Sequence, residues 1–432
     1  MRHTFKRQLS AALLGTAIAA AAPPAAAYNL INEDGTELNF DLEMILGYFN
    51  SQESYGNPNS KPSWTEGYAK YGLSGSTAIS DNAAVFGAVN VLTSFATGDG
   101  EASGTTNGDE RQTKVEDLYA GFRTGNVEIS AGRQNITLGD GFILNGDSLN
   151  FGEAIDKELS RGGGYWLAAR KAFDKTLMVK VGGDEGLRSD IFWFESDNKA
   201  QGRPEMAGVN LEYVTETGTY GAMYLKGLDS NPTGIAGGAF DNLQRDGQRT
   251  VSLRYQGNAG VENLFLSAEY ANQSSGNNTP DGNAWYAEAG WTFADTTWSP
   301  TLTYRYSTFD EHYDQLFTGF NRGYGTWFQG EVWANYAAAG PGNTGVDIHH
   351  VGVKANPSEL LTVGALFFNF DNTSNHPART DAQEFNVYAE WVANDHLIIS
   401  PLLGFFKPDA ANGPQGNTDT NTYFQVLAIV PF

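Results

Sequence analysis

Runs in which apolar and polar residues alternate with a period of two recur from near the start of the chain to its end. Leu38, Phe40, Leu42, Met44, Leu46 and Tyr48 alternate with Glu37, Asn39, Asp41, Glu43 and Gly47. Side chains of a strand point to opposite faces in turn, so such a run makes a strand with one greasy and one polar face. Trp285, Ala287, Ala289, Trp291 and Phe293 repeat the pattern against Tyr286, Glu288, Gly290 and Thr292. Phe385, Val387, Ala389 and Trp391 repeat it against Asn386, Tyr388 and Glu390. One such strand also suits a soluble sandwich. Many of them with almost no helical pattern point to an all-β chain.

The connections decide between sandwich and barrel. Short turns are predicted near 80–83, 124–126, 173–175, 215–218, 257–261, 294–297, 356–359 and 393–395. Long polar loops are predicted near 51–64, 94–113, 135–163, 183–205, 228–248, 272–282, 310–345, 371–381 and 407–420. Outer-membrane barrels have short periplasmic turns and long outer loops. Eight turns and nine loops join 18 strands and leave both ends on one side, as an up-and-down antiparallel transmembrane β-barrel requires. Residues 191–195 are apolar enough for a strand, but counting them as one inverts every later connection. They are therefore assigned to an outer loop or a strand extension. With 26 Phe, 20 Tyr and 9 Trp, the chain also has the rings that aromatic girdles at both membrane interfaces need.

The ends carry their own signals. Arg2, His3, Lys6 and Arg7 precede a short apolar run, then Pro23-Pro24 and Ala25-Ala26-Ala27. That layout predicts a signal peptide over 1–27 and a mature barrel over 28–432, exported to the outer membrane of a Gram-negative bacterium. The first strand is expected near Thr36, which leaves no room for a plug domain. At the other end Phe424, Val426, Ala428, Val430 and Phe432 share one face and close on an aromatic. This resembles the C-terminal signal by which the outer-membrane assembly machinery recognises its clients. Outer-membrane lipid and lipopolysaccharide are the other expected partners. The chain has 50 acidic against 27 basic residues and no cysteine, so nucleic acid is excluded as a partner and no thiol chemistry is available. No GxSxG or HExxH motif occurs, and neither enzyme activity nor a metal or other cofactor is expected.

The polar parity collects the charges. Arg123, Glu128, Arg170, Glu212, Lys226, Arg254, Glu269, Glu288, Arg305, Lys354 and Glu390 are predicted to line the lumen, because charge on the lipid face near mid-bilayer costs about 2–4 kcal/mol. Such a wall serves either as a ladder of cross-strand ion pairs or as a transverse field that selects solutes. Two loops are rich in apolar groups and are candidates to fold inward. Loop 135–163 holds Asp140, Asp147, Glu153, Asp156, Glu158 and Arg161; loop 310–345 holds Trp327 and Trp333.

Three stretches carry a family resemblance. GRQNITLGDGFILNGD at 132–147, GGGYWLAARKAFD at 162–174 and YDQLFTGFNRGYGTWFQGE at 313–331 resemble outer-membrane barrels of the alginate-export type, and the GRQ strand is shared with general Gram-negative porins. The resemblance implies a monomeric 18-stranded barrel and export of an anionic polysaccharide such as alginate. An arginine-rich lumen is expected of such an exporter, and this wall mixes Arg with Glu. The residues themselves favour a porin or channel for hydrophilic solutes, narrowed by its inward loops, with the polysaccharide conduit as the alternative.

Overall fold

A computed structural model describes residues 28–55, 60–164, 166–231, 245–275, 281–319, 344–375, 377 and 379–431. The strands are β1 Tyr28–Glu33, β2 Thr36–Ser51, β3 Ser63–Ser80, β4 Ala83–Gly98, β5 Arg111–Thr124, β6 Val127–Gln134 and β7 Phe173–Val181. They continue as β8 Gly186–Glu195, β9 Glu205–Thr215, β10 Gly218–Asp229, β11 Arg249–Gly257, β12 Leu264–Ser274 and β13 Gly282–Thr292. The last six are β14 Thr301–Phe309, β15 Val346–Ser358, β16 Leu361–Asn372, β17 Ala382–Asn394, β18 Leu397–Pro408 and β19 Asn421–Pro431. Among the described residues the only helix is one 3-10 turn, Lys199–Gln201.

From β2 to β19 each strand pairs antiparallel with the next, and β19 returns to pair with β2, from Tyr423 opposite Ser51 to Pro431 opposite Glu43. The result is a closed 18-stranded up-and-down barrel, the fold class expected from the sequence. Closure satisfies every sheet edge, which is the condition hydrocarbon imposes on strands. β1 lies outside this count. It hairpins back through Asp34-Gly35 and pairs with residues 36–40 of β2, from Tyr28 opposite Phe40 to Glu33 opposite Thr36. It therefore precedes the strand at Thr36 that opens the barrel, and Pro431 is accommodated as the last paired residue of β19.

The alternation expected from the sequence sets the two faces. In β2 the outward Met44, Leu46 and Tyr48 are 41%, 50% and 42% exposed, while Phe49 between them and the loop is fully enclosed. In β19 Phe424, Val426 and Val430 take the outward parity, and Tyr423, Gln425, Leu427 and Ile429 the inward one. Phe432 and the leader residues 1–27 lie outside the described residues.

One stretch departs from the sequence reading. Residues 164–172, read as a strand, belong to a long loop, and the turn expected at 173–175 is the start of β7. Residues 191–195, assigned to an outer loop or a strand extension, are the end of a separate strand, β8. The two errors cancel, so the strand count and the sidedness of every later connection are unchanged. The cause is physical. Trp166, Leu167, Ala168, Ala169 and Ala172 are apolar because they pack inside the barrel, and periodicity does not distinguish that from lipid contact.

Candidate functional site: the lumen

Loop 135–172 leaves β6 and crosses the lumen. At its root Gly132 has φ of 128° and a bulge offsets Gln134 against Phe173. A Cβ on Gly132 would stand 2.3 Å from the Leu118 carbonyl oxygen, so only glycine lets the strand approach here. Residues 137–145 then form a small hairpin, with Leu138 N donating to Leu144 O at 3.0 Å. Its tip rests on the inward faces of β11–β13. The Asp140 carboxylate accepts from Gln256 Nε2 at 2.7 Å, Ser267 Oγ at 2.9 Å and Tyr286 Oη at 2.5 Å. Phe142 packs on Tyr286 and Phe309, with ring centres 5.2 and 5.6 Å apart.

The other end of the loop meets the far wall. The Trp166 backbone N–H donates to Glu66 Oε2 at 2.8 Å and its indole Nε1 to Tyr423 Oη at 2.6 Å. The Trp166 ring lies 5.3 Å from Trp64, which stacks on Phe49 at 5.1 Å. Glu116 accepts the backbone N–H groups of Lys171 and Ala172 at 2.7 and 2.8 Å and pairs with Arg170 Nε at 3.1 Å. Loop 135–172 therefore packs on β2 and bonds to β3, β5 and β19 on one side, and bonds to β11–β13 on the other. Burial pushes the Lys171 amine below its ordinary value, and Glu43 opposes that only in part.

A second set of contacts joins three loops at the same end. Arg245 forks onto Asp314 through Nε at 2.7 Å and Nη2 at 2.8 Å, and Nη1 donates to Gln201 Oε1 at 2.8 Å. Its guanidinium lies 5.4 Å from the Phe317 ring centre, and Phe317 packs on Phe173 at 4.8 Å. Burial, the largest single effect, would raise the Asp314 carboxyl; the Arg245 charge together with the hydrogen bonds from Arg245, the Leu316 N–H and Gln248 holds the group below its ordinary value. Burial is the largest single effect on Asp197 as well and would raise it; Arg133 at 2.9 Å, Arg161 at 3.8 Å and Arg170 together hold it low.

Nearer the short turns the inward wall is ionic. Glu212 sits between Arg188 and Arg254, Glu288 faces Arg305 at 3.6 Å, and Glu128 faces Lys180 at 3.6 Å. Across the barrel Lys70 stands between Glu43 at 3.6 Å and Asp117 at 3.8 Å. Glu269 is opposite Arg254 and accepts from Ser252 at 2.8 Å. Arg123 is inward too, 5.9 Å from the Phe86 ring centre; Lys354 and Glu390 occupy inward positions of β15 and β17.

Two of the residues expected on the pore wall lie elsewhere. Arg170 is on loop 135–172, where the misplaced strand had set it, and Glu116 holds it. Lys226 faces outward: the buried parity of β10 is Gly221, Met223, Leu225 and Gly227, and Lys226 falls between its members. The stem of Lys226 belongs to the same face as Tyr224 and Leu228, and a single charge inside an apolar run does not by itself choose the lumen. Of the loop acids, Asp140 and Asp147 are buried with Arg161, Glu153 and Asp156 are half-buried, and Glu158 is exposed and pairs with Lys199. Trp327 and Trp333 lie outside the described residues.

Sequence reading missed Glu66, Glu116, Tyr423 and the Arg245–Asp314 fork. The parity of β3 and β19 contains Glu66 and Tyr423, but nothing local marks Arg245, whose partner is 69 residues away.

An 18-stranded antiparallel barrel with long loops on one end and an ionic inner wall has the architecture of outer-membrane channel proteins, and solved structures share it. The outer-membrane protein OprD from Pseudomonas aeruginosa matches with a TM-score of 0.59 at 13% identity, over 95% of this chain and 96% of that one. Pseudomonas aeruginosa OpdQ matches with a TM-score of 0.57 at 14% identity, over 93% and 98%. Acinetobacter baumannii OccAB4 matches with 0.55 at 10% identity, over 90% and 97%. At such identities the likeness establishes the fold. No family model and no curated protein matches the sequence, and the resemblance to alginate exporters gains no support from these comparisons.

Proposed function

We propose that the chain is an outer-membrane channel of porin type for small hydrophilic solutes, narrowed by loop 135–172. The observation that carries this reading is the inverted wall: apolar and aromatic side chains outside, ion pairs inside a closed barrel. Lipid takes the outer face at no cost, and a wet lumen takes the charges. The short-turn end is then periplasmic and the long-loop end extracellular, with a mature N-terminus at Tyr28 after cleavage of 1–27 and a monomeric barrel delivered by the assembly machinery. Solved channels of the same fold, among them OprD, favour the same function. The mixed signs of the wall do not favour passage of a polyanion.

Planar-bilayer recording of the purified barrel tests this. Discrete conductance steps are expected, with reversal potentials in a salt gradient showing cation preference from the acidic excess of the chain. Strong anion selectivity instead points to the conduit for an anionic polysaccharide. A folded barrel without conductance overturns the channel reading.

A further inference from the structure

The correction at Lys226 exposes a feature that solute passage does not use. Lys226 and Arg249 are direct partners across β10 and β11, both on the outward parity at the long-loop end. Like charges directly opposite each other on one face repel. Among the described strands the register opposes two formal cations only here, and neither of the two makes an ion pair. Nearby acids are otherwise engaged. Glu205 accepts from the Trp193 indole at 2.7 Å, and Asp229 accepts its own loop's Ser230 N–H at 2.9 Å.

The register fills in the surroundings. Trp193, Ala207, Lys226 and Arg249 lie in one lateral row across β8 to β11. Only the methyl group of Ala207 stands between the strand positions of Trp193 and Lys226, which are two strand spacings apart. Toward the membrane the row borders Tyr224 and Val251, exposed by 39% and 47%. Tyrosine and tryptophan mark the headgroup level of a bilayer, where the cost of lipid-facing charge fades. The cations thus stand where acyl chains give way to headgroups.

We infer that Lys226 and Arg249 form a lipid-facing clip for a phosphate of an anionic glycolipid in the outer leaflet, with Trp193 against its sugar. The identity of this occupant rests on the outer-membrane reading above; the clip itself rests on register and charge. Two cations sharing one phosphate remove their mutual repulsion, and the guanidinium supplies a planar fork for the phosphate oxygens.

Native mass spectrometry of the detergent-solubilised barrel with a bisphosphorylated lipid A-type disaccharide tests the clip. One retained equivalent is expected. Lys226→Gln or Arg249→Gln weakens it about fivefold and the pair about 30-fold, while Lys226→Arg keeps it. Equal affinity in the double variant, equal binding of the dephosphorylated lipid, or full competition by inorganic phosphate at matched concentration overturns the proposal. Heat-modifiable gel migration reports folding of each variant; if the double variant does not fold, the single ones carry the same comparison. Bilayer conductance of the same samples is unchanged, because both side chains stand outside the lumen. Missing conductance in the wild type counts against the channel, whereas unchanged lipid affinity in the variants counts against the clip.

Discussion

At the long-loop end of the barrel the inward positions hold aromatic rings shut off from solvent; toward the short turns they hold charges, several of which stay wet. Phe49, Phe194, Phe309 and Phe370 are completely enclosed. The side chains of Arg188 and Lys180 remain 42% and 52% exposed although each has an acidic partner. The rings and the loop they clamp behave like the core of a soluble domain, in which removing one group costs packing energy. The wet members of the ionic band, Arg188 and Lys180, resemble a protein surface folded inward, in which a charge can change without the barrel noticing, whereas Arg254, Glu288 and Arg305 are enclosed as the rings are. One region sets the shape of the conduit and the other sets what the conduit sees.

The sharpest break of this contrast is Arg245→Ala. It leaves the largely enclosed Asp314 carboxylate without its cation, a loss of up to about 3 kcal/mol at the site. Loops joined by Gln201, Arg245 and Asp314 should become sensitive to limited proteolysis, while heat-modifiable migration shows an intact barrel. Undiminished protease resistance would mean that the fork is dispensable.

Asp140→Ala comes next. It removes the acceptor shared by three donors, about 3 kcal/mol in all after solvent takes them up. The hairpin at 137–145 then loses its hold on β11–β13, and single-channel conductance should rise. A conductance equal to that of the wild type would show that the hairpin is held by Phe142 alone.

Acid provides a graded version of the first test. Asp314 and Asp197 are held below their ordinary value of 3.8, so they contribute stability above that pH and lose it as pH falls through their lowered values. Hydrogen exchange in residues 196–204 and 310–319 should quicken below about pH 3.8, with the barrel strands unaffected. Exchange that quickens on raising the pH would contradict the assignment.

Glu128→Gln is the smallest change in stability, at most about 1 kcal/mol for a partly exposed pair at 3.6 Å. Its effect belongs to the permeating ion: the reversal potential should move toward anions. If the melting temperature falls instead, the short-turn end is not as surface-like as the exposures indicate.

Sequence alone revealed the barrel because alternation and connection length are local. Met44 to Tyr48 declare a lipid face without knowing their neighbours, and Asn82 or Gly125 declare a turn. It failed where a side chain's partner is distant. Trp166 and its apolar neighbours read as a strand although Trp166 packs on Trp64 and Tyr423, about 100 and 250 residues away. Lys226 was misplaced for the complementary reason: near the rim the lipid face tolerates charge, so the rule that sends charges inward weakens there. Asp140 was singled out as a loop acid, yet its three donors on β11–β13 have no sequence signature.

The hairpin arm β1 has a consequence for how the barrel closes. β19 and β1 occupy the same edge of β2 end to end, β19 along residues 43–51 and β1 along residues 36–40. The arm forms from neighbours in sequence, so it can be in place long before the last strand arrives from almost 400 residues away. Once there, it acts as a doorstop. A slip of β19 toward the short-turn end would run Pro431 into Tyr28, and the final strand can seat only where its inward Tyr423 meets Trp166. Register fixes the stagger of a closed sheet, and stagger fixes its bore. Six residues outside the wall thereby help to hold the diameter of the whole barrel.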